Sequence, residues 1–398
     1  MTNLPQGWEV KKLEEIANIK GGKRLPKGEN LLDNNTKFAY IRVADFQDNG
    51  TINLQNIKFI NENTYNVLKN YKIYDDNLYI SIAGTIGKSG IIPKELNGAI
   101  LTENAVKLEY IQNNISNKFM YFFTLSNIFK TQIQTSTKIV AQPKLAITRL
   151  KQIQIPLPPL KEQERIVGIL DESFAKIDES IKILEQNLLN LDELMQSALQ
   201  KAFNPLKDNA KENYKLPQSW EWKSLEEISE NISAGGDKPK NCTESKTAKN
   251  QIPVYANGVN NNGLVGYTDK ATIIKPSLTI SARGTIGFVC IRKEPYFPIV
   301  RLISLIPCEN ILCLHYLYFC LNFFIAKGEG SSIPQLTIPK FKSLQIPLPP
   351  LKEQEQIAEY LDFVFEKAKA LKELYTKELK DYEELKQSLL DKAFKGEL

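Results

Sequence analysis

The same eleven residues, QIPLPPLKEQE, occur twice in this chain, at Gln154–Glu164 and at Gln345–Glu355, 191 positions apart. Two further pairs of segments keep this spacing: PKLAI with PQLTI, and LMQSALQKAF with LKQSLLDKAF. Repetition at a fixed long period is typical of a structural unit that is built more than once. The repeat therefore predicts two similar halves.

Two more matches lie nearer the start of each copy. LPQGWEVKKLEEI at Leu4–Ile16 matches LPQSWEWKSLEEI at Leu216–Ile228, 212 residues later, and ISIAGTIGKSGI at Ile80–Ile91 matches ISARGTIGFVCI at Ile280–Ile291, 200 residues later. The spacing between matching segments thus falls by 21 residues, from 212 to 191, and then stays constant. We expect a common frame around segments that differ in length and sequence.

Charge alternates along the two copies. Residues 1–159 and 204–350 carry net charges of +7 and +5, whereas residues 160–203 and 351–398 carry −4 and −3. Basic blocks of this kind suggest a phosphate-rich partner.

The length of 398 residues predicts two or more domains, and 42% apolar residues are enough for globular cores. Met1–Asn18 lacks the basic start and apolar run of a signal peptide, and no window reaches about eighteen uncharged apolar residues. We therefore expect a soluble cytoplasmic protein. Its most apolar segment, Ile311–Ala326, is predicted to be a buried helix.

The five cysteines all lie in the second half of the chain. Cys308, Cys313 and Cys320 flank the single histidine, His315, which raises the question of a zinc site. Their spacing fits neither a zinc finger nor a zinc ribbon, and free cysteine is commonly buried. We predict free thiols and no metal site.

Each QIPLPPLKEQE stretch leads into a long segment with a heptad pattern, in which apolar residues follow one another in steps of four and three. Lys372 and Lys386 interrupt this pattern in the second segment. The residues predicted to pair the two helices are Leu170, Phe174, Ile177, Ile181, Leu184, Leu188 and Leu191 in the first and Leu361, Phe365, Leu379, Tyr382 and Leu389 in the second.

The prolines of the repeat predict a rigid joint before each helix. Proline fixes φ and disfavours the helical conformation in the preceding residue, so IPLPP is stiff and extended. Pro159 and Pro350 suit the first helical position. Glu162 and Glu164 lie in the first turns, where their negative charges interact favourably with the positive end of the helix dipole.

Connectivity constrains the packing of the helices. The first helix ends near Phe203, shortly before the second domain begins, so the second helix has to run antiparallel to pack along the first. A helix of about 44 residues spans roughly 65 Å at 1.5 Å per residue. We expect a bar with the two basic domains at opposite ends, related by a pseudo-two-fold axis and spaced to meet DNA half-sites one to two turns apart.

The stretch AGTIGKSG at Ala83–Gly90 is similar to a phosphate-binding loop, but Ile82 occupies the position of its first glycine. The second copy, GTIGFV, also lacks the lysine and the hydroxyl group. The shared GTIG predicts a glycine turn between strands, close to Lys88 in one copy and Arg283 in the other, and is a candidate DNA-facing loop. A P-loop nucleotidase that uses Lys88 is the enzymatic alternative.

The basic blocks contain loop-like stretches rich in hydrogen-bond donors. Lys and Arg suit phosphates and guanine edges, whereas Asn and Gln suit adenine edges. The candidate DNA-binding residues of the first block are Lys20, Lys23, Arg24, Lys27, Lys88, Lys138, Gln142 and Lys144. Those of the second block are Lys238, Lys240, Lys246, Lys249, Asn260, Asn261, Arg283, Lys327, Ser331 and Gln335. Any one of them alone could equally be a solvated surface side chain.

The sequence contains no recognisable catalytic constellation. With a single histidine, no Ser–His–Asp set stands out, and there is no dinucleotide fingerprint. A methyltransferase would carry a glycine-rich cofactor loop and an NPPY-like or DPPY-like motif, and neither occurs. We expect a non-catalytic chain.

The W-x-x-x-x-L-E-E-I start of each copy, the GTIG turns, and QIPLPPLKEQE before a long helix ending in KAF resemble the specificity subunit of a Type I restriction–modification system. The resemblance covers essentially the whole chain, and IPLPPLxEQ is its most specific element. It implies an α+β fold of two pseudo-two-fold-related α/β target-recognition domains separated by two long antiparallel coiled-coil-like helices. The expected boundaries are residues 1–159 and 207–350 for the recognition domains and residues 160–206 and 351–398 for the helical spacers.

The resemblance also implies partners. Each recognition domain would read one half of a split, asymmetric site in double-stranded DNA, and the helices would set the spacing and dock two methyltransferase subunits, which restriction and motor subunits join. No cofactor is expected on this chain, because S-adenosylmethionine and ATP would bind to the partner subunits. The alternatives are a coiled-coil adaptor that binds only protein and a subunit of a Type IIB-like system.

Overall fold

The computed structural model describes residues 4–136, 144–203, 217–325, 328–329 and 336–398. The chain divides into a first unit, Met1–Leu184 with Thr376–Leu398, and a second unit, Glu185–Tyr375. Each unit combines strands and short helices with part of two long helices. No helix in the described ranges is long and apolar enough to cross a membrane.

The first unit has two four-stranded sheets, with strand orders β2-β9-β6-β7 and β4-β3-β8-β5, and a β1-β10 pair. Its strands are β1 (Glu9–Lys12), β2 (Ala17–Gly21), β3 (Ala39–Ile41), β4 (Lys58–Phe59), β5 (Lys72–Ile73), β6 (Leu78–Ser81), β7 (Ser89–Ile91), β8 (Ala99–Leu101), β9 (Ala105–Tyr110) and β10 (Gln154–Leu157). Its short helices are α1 (Leu13–Ile16), α2 (Glu62–Val67), α3 (Asn117–Leu125), α4 (Asn127–Ser136) and α5 (Ile147–Lys151). The long helix α6 (Leu160–Phe203) follows.

The second unit has sheets with strand orders β12-β19-β15-β17, β14-β13-β18, β16-β20 and β11-β21. Its strands are β11 (Glu221–Ser224), β12 (Ser229–Ala234), β13 (Ile252–Tyr255), β14 (Leu264–Thr268), β15 (Ser277–Ile280), β16 (Thr285–Ile286), β17 (Val289–Arg292), β18 (Phe297–Pro298), β19 (Ile303–Pro307), β20 (Gly328–Glu329) and β21 (Gln345–Leu348). Its short helices are α7 (Leu225–Ile228), α8 (Leu314–Phe324) and α9 (Ile338–Lys342), and the long helix α10 (Leu351–Lys395) follows.

The two units share the topology of one four-stranded sheet and part of a second sheet. The sheet β2-β9-β6-β7 of the first unit has the same connectivity as β12-β19-β15-β17 of the second. In a second sheet, β3 runs parallel to β8 in the first unit and β13 runs parallel to β18 in the second. The internal repeat of the sequence thus corresponds to a repeat of structure.

The two most similar repeated segments pair with each other. β1, from the N-terminal repeat, runs antiparallel to β10, from QIPLPPLKEQE, and the same register joins β11 to β21. The extended joint before each helix is therefore held by a strand ladder. α6 and α10 begin one residue after Pro159 and Pro350, so these prolines precede the first helical position instead of occupying it.

The glutamine of LKEQE is a buried clamp between each long helix and its domain. The Gln163 amide nitrogen donates to the carbonyls of Pro158 (2.9 Å) and Asn114 (3.1 Å), and its oxygen accepts from the Ser116 N–H (2.9 Å). Gln354 repeats this set in the second unit, donating to Pro349 and Ile311 (2.8 Å each) and accepting from Cys313 N–H (2.9 Å). Because Ser116 and Cys313 cap α3 and α8, the clamp fixes where those helices start.

The KAF sequences at the ends of the long helices dock in aromatic pockets. The Phe394 ring lies 5.1 Å from Phe119 and 5.5 Å from Phe123 in the first unit. The Phe203 ring lies 5.5 Å from Tyr316 and 5.6 Å from Phe323 in the second unit. α3 and α8 therefore provide equivalent docking sites for the two helix ends.

The residues predicted to pair the helices are buried in a heptad rhythm. Within α6, four of these residues lie seven positions apart and are buried: Leu170, Ile177, Leu184 and Leu191. The predicted pairing residues between them are half-buried: Phe174, Ile181 and Leu188. In α10, Leu361 is buried and the half-buried positions are Phe365, Leu379, Tyr382 and Leu389.

The two lysines that interrupt the pattern form ion pairs with α6. Lys386 pairs with Asp178 in the first unit, and Lys372 pairs with Asp192 in the second. The Lys386 ammonium also lies 5.4 Å from the centre of the Phe174 ring. A lysine can cover apolar surface with its stem while its charge finds a carboxylate at the rim, which explains why the helical pattern tolerates these residues.

The apolar segment of the second half is the buried helix that the sequence predicts, with α8 occupying Leu314–Phe324. Cys320 is fully buried, and burial raises the pKa of its thiol well above the usual range. The His315 Nδ1 atom lies 2.7 Å from an Asp362 carboxylate oxygen. The described residues contain no group of three His, Cys, Asp or Glu side chains placed to hold a metal ion.

Candidate nucleic-acid interface

Each GTIG stretch forms the glycine turn between strands that the sequence predicts. The stretch lies between β6 and β7 in the first unit and between β15 and β17 in the second, where its two middle residues form the short strand β16. Its glycines take positive φ: 75° and 87° at Gly84 and Gly87, and 70° and 81° at Gly284 and Gly287. A phosphate-binding loop runs from a strand into a helix, whereas this turn runs into a strand. The geometry therefore does not favour a nucleotide site at Lys88.

Several loops of the first unit meet beside this turn. The Gly22 N–H donates to the Ala105 carbonyl and the Lys23 N–H donates to the Leu101 carbonyl (2.9 Å each), which places the loop after β2 against the turn between β8 and β9. The Ile82 N–H donates to the Asn104 carbonyl (2.8 Å), which adds the GTIG segment. We call the residues Gly22–Arg24, Ile82–Lys88 and Thr102–Asn104, together with Lys144, the first loop edge.

Lys144 reaches the first loop edge through backbone pairing. It forms a β-bridge with Ala83, and the next residue, Leu145, donates its N–H to the Ile82 carbonyl (2.9 Å). The Lys144 side chain is exposed. The loops before α5 and after β6 therefore present their side chains at one place.

Some of the cations at the first loop edge have acidic partners. The Arg24 Nε atom lies 2.7 Å from a Glu103 carboxylate oxygen, and Lys88 Nζ lies 2.8 Å from Asp48. Partial burial acts to raise the pKa of Glu103, but hydrogen bonds from Arg24, the backbone and Thr102 outweigh it and leave that pKa lowered. Glu103 is therefore held as a carboxylate beside the Arg24 guanidinium.

The remaining candidates of the first block differ in position. Lys23 is exposed, and its ammonium lies 5.8 Å from the centre of the Tyr71 ring. Lys27 is exposed in the loop that continues from the first loop edge. Lys20 lies within β2, where it pairs with Glu109 (2.5 Å), and is not part of that edge. Lys138 and Gln142 lie outside the described residues.

The second unit gathers its loops at the equivalent place. The Arg301 N–H donates to the Gly235 carbonyl (2.8 Å), and the Asn257 side chain donates to the Val300 carbonyl (2.6 Å) and accepts from the Ala282 N–H (2.8 Å). These bonds connect the loops after β12, β13 and β15 with the turn before β19. We call the residues Gly235–Lys238, Ala256–Gly263, Ser281–Arg283 and Ile299–Leu302 the second loop edge.

The predicted donors Asn260 and Asn261 are exposed on the second loop edge, and Asn261 takes a left-handed conformation (φ 48°). Arg292 is only 8% exposed and holds the loop that carries Asn260 and Asn261. Its guanidinium donates to the Asn262 carbonyl (2.5 Å) and to the Thr279 hydroxyl (3.0 Å). Sequence reasoning missed this residue, since its only signal is an arginine in the apolar strand VCIR.

The other candidates of the second block divide into two positions. Arg283 and Lys238 are exposed on the second loop edge. Lys246 contacts the Tyr267 ring and Lys249 pairs with Asp269. Both lysines precede β13, whose four residues span about 13 Å at 3.3 Å per residue and lie between them and the second loop edge. Lys240 is exposed and precedes Asn241, which bonds to Thr268 at that same far end. Lys327, Ser331 and Gln335 lie outside the described residues.

The sequence of this chain matches one known protein family twice. The model of the Type I restriction modification DNA specificity domain matches residues 5–189 and again residues 217–380. The chain belongs to this family. The two matches confirm the predicted fold class, since each covers one copy of the mixed helix-and-sheet domain together with part of a long helix.

Relatives of the chain are named as type I specificity subunits. S.MpnORF507P of Mycoplasma pneumoniae is 29% identical over 357 residues, which cover 88% of this chain and 87% of the relative. The EcoBI specificity subunit of Escherichia coli is 29% identical over 205 residues, 50% of this chain and 42% of the relative. The first similarity extends over both copies of the specificity domain.

Solved structures of this class share the fold. A chain from work on complex assembly and conformational transition of the type I R-M system has a TM-score of 0.80 at 20% identity, with both chains fully covered. The HsdS subunit of Thermoanaerobacter tengcongensis has a TM-score of 0.61 at 21% identity, covering 100% of this chain and 98% of that one. At these identities the likeness concerns the fold.

Proposed function

We propose that this specificity subunit recognises a split, asymmetric site in double-stranded DNA, with the first loop edge reading one half and the second loop edge reading the other. The observation that carries the proposal is that two repeats of one specificity domain bring different side chains to equivalent edges. The first edge offers Lys23, Arg24 and Lys144, and the second offers Asn260, Asn261 and Arg283. A shared frame with different loops suits two different half-sites.

The chemistry of each edge suits DNA. Exposed lysine and arginine side chains neutralise phosphates and release counterions, and this supplies affinity without sequence preference. Asparagine and arginine read adenine and guanine edges in the major groove, and this supplies specificity. Hydrogen bonds hold the backbone of each loop edge, which supports a role for its donors in binding DNA.

The proposal includes protein partners. In the second unit, the long helices expose large apolar side chains, which include Leu189 (59% exposed), Leu374 (56%) and Phe363 (61%). We propose that such helical surfaces dock two methyltransferase subunits, which restriction and motor subunits then join. The chain itself would be non-catalytic, with S-adenosylmethionine and ATP bound by those partners.

Methylome sequencing tests the function directly. A host that expresses this chain with its cognate methyltransferase is expected to gain adenine methylation at one split, asymmetric motif, and to lose it when this chain is deleted. If the complex forms but no new methylation occurs, the proposal fails in favour of a protein-only adaptor.

A pair of lysines that are close in sequence tests the first loop edge. Lys23→Ala removes a cation from the edge, whereas Lys20→Ala removes one from β2, where Glu109 pairs with it. With the assembled complex, Lys23→Ala is expected to reduce the slope of log affinity against log salt concentration by about 1, as for one lost phosphate contact. Lys20→Ala should leave the slope unchanged, and equal effects of the two variants would contradict the placement.

A further inference from the structure

One turn of the second loop edge adopts a conformation that its sequence opposes. Ile299–Leu302 is closed by a hydrogen bond from the Leu302 N–H to the Ile299 carbonyl (3.0 Å), and the central residues Val300 and Arg301 have φ of 54° and 59°. Positive φ at both central positions is what a type I′ turn requires, and such turns favour Asn and Gly. A β-branched valine followed by an arginine is strained in this geometry.

The surroundings hold this strained turn in place. The N–H groups of Val300 and Arg301 donate to the carbonyls of Gly236 and Gly235 (2.8 Å each), and the Val300 carbonyl accepts from Asn257. A Cβ atom at Gly235 would lie 2.6 Å from the Ile299 nitrogen, so glycine is needed for the backbones to approach this closely. Three hydrogen bonds and one close backbone contact therefore fix the direction in which the turn points.

The turn presents an arginine to solvent. Val300 is 51% exposed and Arg301 is also exposed. Among the residues that the structure describes, none forms an ion pair or a hydrogen bond with the Arg301 guanidinium. The backbone of Arg301 is therefore fixed, while its guanidinium has no hydrogen-bond acceptor within the described part of the chain.

The first unit shows what the same position looks like without strain. Glu103 and Asn104 occupy the turn before β9, which is closed by a hydrogen bond from Ala105 N–H to the Thr102 carbonyl (3.2 Å), and both central residues keep negative φ. Glu103 pairs with Arg24 there. The common frame therefore does not require positive φ at this turn, and the strain belongs to the residues of the second unit.

We propose that Arg301 reads a guanine base in the half-site bound by the second loop edge. This inference rests on the function proposed above and names one residue that determines specificity. A guanidinium pairs bidentately with the O6 and N7 atoms of guanine in the major groove, and this pairing depends on the direction of approach. Strain that the fold retains at an exposed arginine is typical of a functional constraint.

Two substitutions in the turn separate the arginine from the strain. Arg301→Gly removes the guanidinium and supplies a residue that accepts positive φ, whereas Val300→Asn eases the turn and keeps the arginine. Lys293→Ala is a control for charge, because Lys293 is exposed in the same unit but follows β17 at the end remote from the GTIG turn. Each variant is expressed with the cognate methyltransferase, its methylome is sequenced, and its Tm is measured.

Arg301→Gly is expected to raise Tm by about 2–4 °C and to relax one guanine position of the second half-site by about 5- to 150-fold, with the first half-site unchanged. Val300→Asn should raise Tm similarly and keep the motif, and Lys293→Ala should keep both.

Three results would overturn the assignment. They are an unchanged motif in Arg301→Gly, uniformly weaker methylation without a degenerate position (as expected for a phosphate contact), and equal relaxation by Val300→Asn. Failure of the proposed function itself is distinguishable, because the wild-type chain would then direct no methylation at a split motif.

Discussion

Replacing Gln354 with alanine isolates the contact that connects α10 to its domain. Gln354 is fully buried and its side-chain amide satisfies three backbone groups: the carbonyls of Pro349 and Ile311 and the N–H of Cys313. Alanine has no group that can replace these bonds. The substitution therefore leaves three backbone groups without the partner they have in the native fold.

The loss of stability depends on the three backbone groups that lose their partner. A buried donor or acceptor left without a partner costs about 1–3 kcal/mol, and water that enters the vacated space recovers part of this. We expect Gln354→Ala to destabilise the second unit by about 3–5 kcal/mol. For a unit of this size, that corresponds to a fall in Tm of roughly 10 °C.

Two measurements and one control test this expectation. Differential scanning calorimetry reports the fall in Tm, and hydrogen exchange reports the Cys313 amide, which should lose protection while the Ser116 amide in the first unit keeps it. Gln356→Ala is the matched control, because Gln356 lies on the same helix and is exposed. Equal Tm values for the two variants, with the Cys313 amide still protected, would refute the clamp.

Three other perturbations address the helices and the first loop edge. Phe394→Ala empties an aromatic pocket and should cost about 3–5 kcal/mol, measured by denaturant unfolding, and a cost of less than about 1 kcal/mol would contradict the docking of the helix end. Lys372→Leu removes an exposed ion pair with Asp192 and should change stability by less than about 1 kcal/mol, whereas a larger loss would show that the pair is essential. The lowered pKa of Glu103 means that its carboxylate stabilises the fold above the unfolded pKa of about 4.3 and that this stability is lost as pH falls through the folded pKa. Arg24→Gln raises that pKa, so between pH 6 and pH 3 the Tm of the wild type should fall more than that of the variant, and parallel profiles would refute the assignment.

Much of the frame follows from the sequence. The repeat predicts two copies of one domain, the heptad pattern predicts α6 and α10, and GTIG predicts a turn between strands, because each of these features depends on residues that are close in the chain. The apolar segment of the second half likewise predicts α8, because the eleven residues of this helix are consecutive in the chain and nearly all apolar.

The remaining features depend on contacts that are distant in the chain. QIPLPPLKEQE predicts an extended joint, but the strand that pairs with it, β1, lies at the opposite end of the domain in the sequence. The role of Gln163 likewise depends on a distant residue, Ser116, at the start of α3. Lys372 conflicts with the heptad pattern until Asp192 on the other helix is known. The turn at Val300 and Arg301 could not be predicted, because the local propensity of both residues opposes the conformation that their neighbours impose.

Exchanging residues 1–159 for the corresponding domain of another specificity subunit, followed by methylome sequencing, tests the central claim most directly. If each unit reads one half-site through its own loop edge, the hybrid will methylate a motif in which one half has changed and the other half is that of the wild type. A hybrid that forms the complex with its methyltransferase but alters both halves, or neither, would contradict the account.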